Sequence, residues 1–175
     1  MTDLTLLETD RLVLSGWRPD QIDDLYRLHG DPVVARYLTE HGRPWTKEEM
    51  DSSLAHWIEL FERQQMGKLR LTRKSDGVLV GRCGFGIYGP EETPEIGYSL
   101  YPEFWGNGYV YEAASALRDW YWRETDRRHF IGLADVRNES SLKVLRKLGG
   151  VFTHKGDNDH GHYCEWYIYN RPTAA

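Results

Sequence analysis

Apolar and polar positions along the chain alternate in patterns that outline an ordered series of strands and helices. Apolar residues recur at helical spacing between Arg18 and Gly30, from Val33 to Leu38, and between Thr46 and Gly67. Strand-like runs are found at 11–14, 69–73, 78–88, 95–101, 130–136, 151–154 and 163–169. Because such spacings place apolar side chains on one face, the pattern predicts an α/β (α+β) fold with about seven strands flanked by helices.

Two more helices are predicted in the second half of the chain, each with its own start and stop signals. The first runs from Gly108 to about Glu124, and its small residues Ala113 and Ala114 allow a close approach to a sheet. Asn138 is a favourable N-cap for the second, which Gly149 ends. These two helices alternate with the predicted strands at 95–101 and 130–136.

Composition and charge narrow the function classes. The 175 residues fit one domain, 1–175, and the net charge of -5 argues against nucleic acid as a partner, whereas an amine substrate is compatible with it. Only two cysteines occur, and Met1 to Leu4 lacks the layout of a secretion signal, which favours a reduced, cytoplasmic protein. No apolar run approaches the roughly 18 residues of a membrane span, so no membrane partner is expected.

Two glycine-rich segments invite a nucleotide or phosphate interpretation, and their contexts separate them. Gly84 to Gly89 matches the string G-x-G-x-x-G, but a turn at 90–94 follows where a dinucleotide site needs a helix. Those glycines are expected to mark bulges or close backbone contacts. A Walker loop is not supported either, because no Gly-Lys-Ser/Thr ending follows the second segment, Trp105 to Val110.

The segment Trp105-Gly106-Asn107-Gly108-Tyr109-Val110 is the strongest candidate for a binding loop. Gly106 and Gly108 permit positive φ angles and carry no side chains. Backbone N–H groups of residues 106–110 are therefore able to converge on an anion at the N-terminus of the following helix. This arrangement suits a pyrophosphate.

Six segments in the same order give the chain a resemblance to a known family. They are 8–14 (Glu-Thr-Asp-Arg-Leu-Val-Leu), 81–84 (Gly-Arg-Cys-Gly), 94–98 (Pro-Glu-Ile-Gly-Tyr), 101–109 (Tyr-Pro-Glu-Phe-Trp-Gly-Asn-Gly-Tyr), 138–141 (Asn-Glu-Ser-Ser) and 147–149 (Lys-Leu-Gly). Through them the sequence resembles the GNAT acetyltransferase superfamily, in particular its RimJ/RimL-like ribosomal-protein N-acetyltransferase branch.

The resemblance implies an acetyl-CoA site and a mixed, mostly antiparallel sheet that splays between its fourth and fifth strands, those of Glu95 and Phe130. The pantetheine arm of the cofactor would pair with the backbone of the Glu95 strand, including Tyr98, Ser99 and Leu100, like an added strand. Asn138 would contact the same arm, and it can also act as a plain helix cap. The pyrophosphate would sit on residues 106–110.

Two positions depart from the pattern of this family. Val110 places a branched side chain where small residues let the backbone approach the phosphate. Leu145 stands where many members have a Tyr that protonates the departing thiolate. These departures keep a second interpretation open, in which the fold binds acyl-CoA with little or no turnover.

The candidate chemistry is direct attack of a primary amine on the thioester. An amine is mostly protonated at neutral pH, so a base is needed, and Glu95 is the candidate because strand alternation puts it on the more polar face with Gly97. The alternative for Glu95 is a solvated carboxylate at a strand start, and a bulge at Gly97 would change its face. Ser141, in the first turn of the Asn138 helix, is the candidate proton donor, or else a hydroxyl that only bonds within the cap.

The acceptor and the assembly remain more open. The amine belongs to a protein N-terminus or to a small molecule, and an edge strand in the aromatic tail suggests a possible homodimer. Asp157 to His162 with Cys164 resembles a metal-binding cluster only superficially. The two histidines lie two apart in a turn, so no metal site is expected.

Overall fold

A computed structural model describes residues 3–173 of the chain, which form one eight-stranded sheet with five α-helices. The strands are β1 (Thr5–Glu8), β2 (Leu12–Ser15), β3 (Gly67–Arg73), β4 (Leu79–Tyr88), β5 (Thr93–Leu100), β6 (His129–Asp135), β7 (Val151–Asp157) and β8 (Tyr163–Asn170). The α-helices are α1 (Ile22–His29), α2 (Pro32–Ala35), α3 (Lys47–Gln64), α4 (Tyr109–Glu124) and α5 (Glu139–Lys147). None of these helices is long and apolar enough to cross a membrane.

The sheet changes character in its middle. The strand order is β1-β2-β3-β4-β5-β6-β8-β7, and all neighbours are antiparallel except β5 and β6, which are parallel. β5 and β6 share a single registered pair, Glu95 with Ile131. Beyond that pair the two strands separate, which confirms the predicted splay between the Glu95 and Phe130 strands.

The sequence missed only β1 among the strands. This strand has four residues, and its Leu6 and Leu7 are both only half-buried, so neither an apolar run nor a clean alternation marks it. It pairs with β2 at the edge of the sheet. The count of eight strands therefore comes from the predicted seven plus this N-terminal hairpin strand.

Two hydrophobic cores hold the helices, one on each face of the sheet. Leu25, Leu54 and Trp57 of α1 and α3 pack with Trp17 and Tyr101 in one core. The other core joins α4 and α5 to the central strands through Phe85, Ile96, Leu100, Ala113, Ala114, Leu117, Tyr121, Phe130, Leu142 and Leu145. Ala113 and Ala114 of α4 are fully buried, as the close approach of this helix to the sheet requires.

Helix starts follow the capping residues that the sequence offers. Thr46 Oγ1 accepts the N–H of Glu49 at 3.2 Å while the Glu49 carboxylate accepts the N–H of Thr46 at 2.7 Å, so α3 opens with the predicted capping box. Asn138 caps α5 by accepting the N–H of Ser141. These caps fix where α3 and α5 enter the fold, and α5 in particular starts beside the splayed strands.

Glycines on the central strands mark close contacts, as the sequence indicated. A Cβ on Gly84 would lie 1.9 Å from the carbonyl oxygen of Gly67 on the neighbouring strand β3. After Gly89 the chain turns directly into β5 instead of starting a helix. The G-x-G-x-x-G string is therefore a packing feature of the sheet, and β3, β4 and β5 are held in the tight register that positions the site.

Gly84→Ala is expected to destabilise the protein strongly, because the new methyl group meets backbone atoms that cannot move without breaking the ladder. We expect a loss of about 3 kcal/mol, or a fall in Tm of about 6–12 °C by thermal denaturation. Gly156→Ala is the matched control, since its Cβ has no neighbour closer than 3.5 Å. Equal Tm values for the two variants would contradict the close-contact interpretation.

Candidate active site

The glycine loop before α4 has the conformation that its sequence predicted. Gly106 and Gly108 have φ angles of 78° and 77°. The Asn107 side chain donates to the carbonyl oxygens of Phe104 and Trp105 at 3.0 and 3.2 Å. These bonds fix the two carbonyl groups at the start of the loop. Within residues 3–173 no group accepts a hydrogen bond from the N–H groups of residues 106–110. The loop thus presents unengaged donors at a helix N-terminus.

The other residues of this loop anchor it to the fold. Trp105 is 51% exposed, and its Nε1 donates to the carbonyl oxygen of Leu100 at 3.0 Å, which links the loop to the end of β5. Tyr109 is buried beneath the guanidinium of Arg11, 4.5 Å from the ring centroid. Val110 is half-buried and packs against the core that holds α4. The branched side chain at this departure from the family pattern therefore has a core contact.

Glu95 is not a free carboxylate at a strand start, because a buried ammonium holds it. Lys68 Nζ lies 2.6 Å from Glu95 Oε2, and the two side chains are 10% and 18% exposed. The register of β4 and β5 is unbroken along β5, so no bulge at Gly97 alters the predicted face. Sequence reasoning missed Lys68, which lies on β3, two strands away from β5.

A second buried cation lies on the same face of the sheet. Arg82 Nε donates to His29 Nε2 at 2.7 Å, and Ser99 Oγ is 3.4 Å from the same nitrogen. Burial lowers the pKa of Arg82 to about 10, and burial together with Arg82 holds the pKa of His29 well below its ordinary value. His29 is therefore a neutral acceptor, and Lys68 and Arg82 supply the buried positive charge.

The opposite face of β5 carries a pair of hydroxyl groups. Tyr98 Oη lies 2.9 Å from Ser141 Oγ and donates to the Ser141 carbonyl oxygen at 3.2 Å. Burial raises the pKa of Tyr98 far above its ordinary value, so the phenol keeps its proton. Asn138 Oδ1 accepts the N–H of Ser141 at 3.3 Å and the hydroxyl of Ser140 at 3.0 Å. The predicted residues Tyr98, Asn138 and Ser141 thus form one cluster.

Leu145 is a core residue, which explains why no hydroxyl occupies its position. It is 1% exposed, and its Cδ2 fills the space over Gly132 on β6, where a Cβ would lie 2.7 Å away. Its carbonyl oxygen accepts the hydroxyl of Tyr169 at 2.7 Å. Leu145 therefore contributes packing to the core and brings no hydroxyl group to this part of α5.

A pocket of 420 Å³ opens near the loop between β7 and β8, and it is lined by Thr39, Glu40, Arg43, Trp45, Glu48, Glu49, Ser52, Ser53 and His160. His162 fixes this region, with Nδ1 at 3.0 Å from Asp135 Oδ2 and Nε2 at 2.5 Å from the Thr39 carbonyl oxygen. Hydrogen bonds from Arg137 and His162 lower the pKa of Asp135 to about 2, so both partners of the ring only accept. The His162 ring therefore joins Asp135 at the end of β6 to the Thr39 carbonyl group in the N-terminal half of the chain.

The two cysteines and the loop that carries His160 and His162 are accounted for by packing and by local hydrogen bonds. Burial raises the pKa of both Cys83 and Cys164 to about 12, so neither thiol is a ready nucleophile. Asn158 Oδ1 accepts the N–H groups of His160 and His162 and shapes the loop that carries them. Across residues 3–173 no group of three or more His, Cys, Asp or Glu side chains is arranged to hold a metal ion.

Comparison with known proteins agrees with this architecture. The model of the acetyltransferase (GNAT) domain family matches residues 11–151. An uncharacterized N-acetyltransferase, p20, from Bacillus licheniformis is 27% identical over 144 residues, which cover 81% of this chain and 80% of that protein.

Solved structures give the same result at the level of the fold. An acetyltransferase from Agrobacterium tumefaciens superimposes with a TM-score of 0.81 at 23% identity, covering 97% of this chain and 96% of its own. RimL, described as a ribosomal L7/L12 α-N-protein acetyltransferase in complex with coenzyme A, superimposes with a TM-score of 0.77 at 20% identity, covering 97% and 98%. Because the family model covers most of the chain, the protein belongs to the GNAT family of acetyltransferases.

Proposed function

We propose that the whole chain is a single acetyltransferase domain that transfers an acetyl group from acetyl-CoA directly to a primary amine. One observation carries the proposal. Strand β5 presents the Glu95 carboxylate on one face and the Tyr98 hydroxyl on the other, where it meets the Ser141 hydroxyl of α5 beside the opening between β5 and β6. A base and a proton donor on opposite sides of one opening suit a reaction in which an amine loses a proton and a thiolate gains one.

The glycine loop and β5 fit the cofactor. The unengaged N–H groups of residues 106–110 are donors for a pyrophosphate, and the free edge of β5 at Tyr98, Ser99 and Leu100 offers backbone partners to the pantetheine arm. Asn138, which caps α5 beside the same opening, is the proposed further contact of this arm. Acetyl-CoA supplies the activated acetyl group, and the coenzyme A bound to RimL supports the same use of this fold.

Glu95 is the proposed base. Lys68 occupies its Oε2, while Oε1 has no hydrogen-bond partner among residues 3–173 and is open to an incoming amine. The proton of the amine passes to Oε1 as the new C–N bond forms. An amine with its reference pKa of about 8 to 10 is mostly charged at neutral pH, which is why this transfer matters.

Ser141 is the proposed proton donor to the departing thiolate, and Tyr98 is hydrogen-bonded to its hydroxyl group. If the Tyr98 hydroxyl turns from the Ser141 carbonyl oxygen to Ser141 Oγ, 2.9 Å away, the serine hydrogen is free to point toward the opening. A serine hydroxyl is a weaker acid than a thiol, so Ser141 acts as a relay: it donates a hydrogen bond to the thiolate, and a proton that it passes on is replaced from solvent. This pair takes the place of the Tyr that Leu145 replaces.

The acceptor is an amine of a protein N-terminus or of a small molecule. RimL, whose name describes α-amino acetylation of a ribosomal protein, supports the first, and the net charge of -5 suits a cationic amine in either case. The reduced, buried cysteines support a cytoplasmic protein. The exposed Val151 and Phe152 on the edge strand β7 support a homodimer.

Thermal unfolding with acetyl-CoA, CoA and ATP tests the cofactor site. At 100 times its dissociation constant a ligand stabilises the protein by about 2.7 kcal/mol, which raises Tm by about 5–10 °C. We expect this shift with both CoA species and none with ATP. The absence of a shift with CoA would contradict the proposed cofactor.

Gly106→Ala tests the loop itself, with Gly77→Ala as its matched control. Both glycines have positive φ, 78° and 71°, and at both the space for a Cβ is empty within 4 Å, so each variant should lose about 1 kcal/mol of stability. Only Gly106→Ala should weaken CoA binding, by about ten-fold or more, as N–H groups move off the phosphates. Equal CoA affinities in the two variants would place the pyrophosphate elsewhere.

Glu95→Gln tests the base. The amide has the size of the carboxylate but accepts no proton, so kcat/KM for thiol release with an active amine acceptor should fall by about 100-fold or more. The CoA-induced Tm shift should persist. Glu59→Gln, on the exposed surface of α3, should leave the rate unchanged. Wild-type protein that binds CoA but releases none with any amine would favour the binding-module alternative.

Tyr98→Phe and Ser141→Ala test the proton donor. Each should lower kcat by about ten-fold, and the double variant should lose no more than the worse single variant, because the hydroxyls act as one unit. Ser140→Ala removes a neighbouring hydroxyl that does not contact Tyr98, and it should retain the wild-type rate. Additive losses would separate the two residues functionally.

A further inference from the structure

The Lys68 side chain lies buried on β3 and ends at Glu95. Its ammonium has three acceptors: Glu95 Oε2 at 2.6 Å, the Glu95 carbonyl oxygen at 3.1 Å and the Gly84 carbonyl oxygen at 3.3 Å. An ammonium has three protons and a neutral amine has two, so this environment matches the charged form. Burial lowers the pKa of Lys68, while the charge of Glu95 opposes that shift.

We propose that Lys68 is a positioning residue for the base: it holds Glu95 by Oε2 at 2.6 Å, places a positive charge beside the carboxylate, and leaves Oε1 to the amine. This role rests on the proposed acetyl transfer with Glu95 as base. Lys68 touches neither substrate nor cofactor, and its ammonium keeps its three protons throughout. The proton removed from the amine resides on Oε1 and leaves to solvent through the 18% of the Glu95 side chain that is exposed.

A path lined by glycine lets Lys68 reach across β4 to β5. A Cβ on Gly86 would lie 3.1 Å from Lys68 Cε, and a Cβ on Gly97 would lie 2.4 Å from Nζ and 3.0 Å from Glu95 Oε1. Any larger residue at Gly97 would therefore displace the ammonium or the carboxylate. Because Gly86 and Gly97 have no side chains, there is room for the ion pair between β3 and β5.

The charges around the pair explain why the ammonium is needed. A carboxyl group enclosed by protein binds its proton more tightly than one in water, unless a cation lies beside it. The titratable and charged groups that interact with Glu95 are Lys68 from β3, Arg82 and the neutral Cys83 from β4, and the protonated Tyr98 of β5 itself. Of the two cations only Lys68 contacts the carboxylate.

Lys68→Met tests the role through the pH dependence of kcat/KM. Methionine fills a similar space without charge, so Glu95 should bind its proton at higher pH. We expect about a ten-fold loss at pH 7 and a shift of the acidic limb upward by about one pH unit, with the loss shrinking as pH rises. Lys155→Met, which removes the lysine of an exposed pair with Glu165, is the control and should keep the wild-type profile.

A double variant separates positioning from general stability. If Lys68 acts through Glu95, then Lys68→Met should cause no further loss in a Glu95→Gln background. Gly97→Ala is a second variant that disturbs the ion pair, because its methyl group crowds the Lys68 ammonium and Glu95 Oε1 while no charged group is removed. It should shift the acidic limb of the kcat/KM profile in the same direction as Lys68→Met. It carries the test if Lys68→Met fails to fold, as judged by its CoA-induced Tm shift.

The outcomes distinguish the two levels of the proposal. The role of Lys68 would be overturned if the wild type is active and Glu95→Gln is nearly inactive, while the acidic limb of Lys68→Met is not shifted. If Lys68→Met does not fold, the limb of Gly97→Ala decides instead. Either result would leave the proposed acetyltransferase activity intact. A fully active Glu95→Gln would remove the base and the positioning role together. A wild type that releases no CoA would overturn both the proposed function and this inference.

Discussion

The single registered pair between Glu95 and Ile131 is the constraint on which the rest of the structure depends. It joins two strands that run parallel and then separate, so the edge of β5 beyond it has no strand partner. Backbone groups at such an edge need another partner, and an extended ligand is one that fits. The glycine loop follows soon after β5, so the free edge and the unengaged N–H groups of the loop belong to one continuous stretch of chain.

Strand alternation then sorts the chemistry. Successive residues of β5 point to opposite faces, so Glu95 and Tyr98, three positions apart, belong to different layers of the molecule. Lys68 and Arg82 make the Glu95 side polar and positively charged, while α4 and α5 make the Tyr98 side mostly apolar. A carboxylate paired with a buried ammonium and a phenol that keeps its proton are thus produced by two different environments around one strand.

The sequence predicted most of the fold and about half of the site. Caps, apolar spacing and the loop at 105–110 are local signals, and they located α3, α4, α5 and the two glycines of positive φ before α4. The bond between Tyr98 and Ser141 and the pair between Lys68 and Glu95 join residues 43 and 27 positions apart. No periodicity records such contacts, since they depend on strand order and on glycines that clear a path. β1 was missed because four half-exposed residues give too weak a pattern.

The hydroxyl pair also has a mechanical meaning. Tyr98 belongs to β5 and Ser141 to α5, so their hydrogen bond crosses the opening between β5 and β6. On the other face, His162 of the second half reaches the Thr39 carbonyl of the first half. Beyond the Glu95–Ile131 pair, the two halves of the sheet are therefore connected by side-chain hydrogen bonds on both faces of the opening. Such bonds oppose a change in the width of the opening, so a thin, extended molecule fits it better than a bulky one that would have to break them.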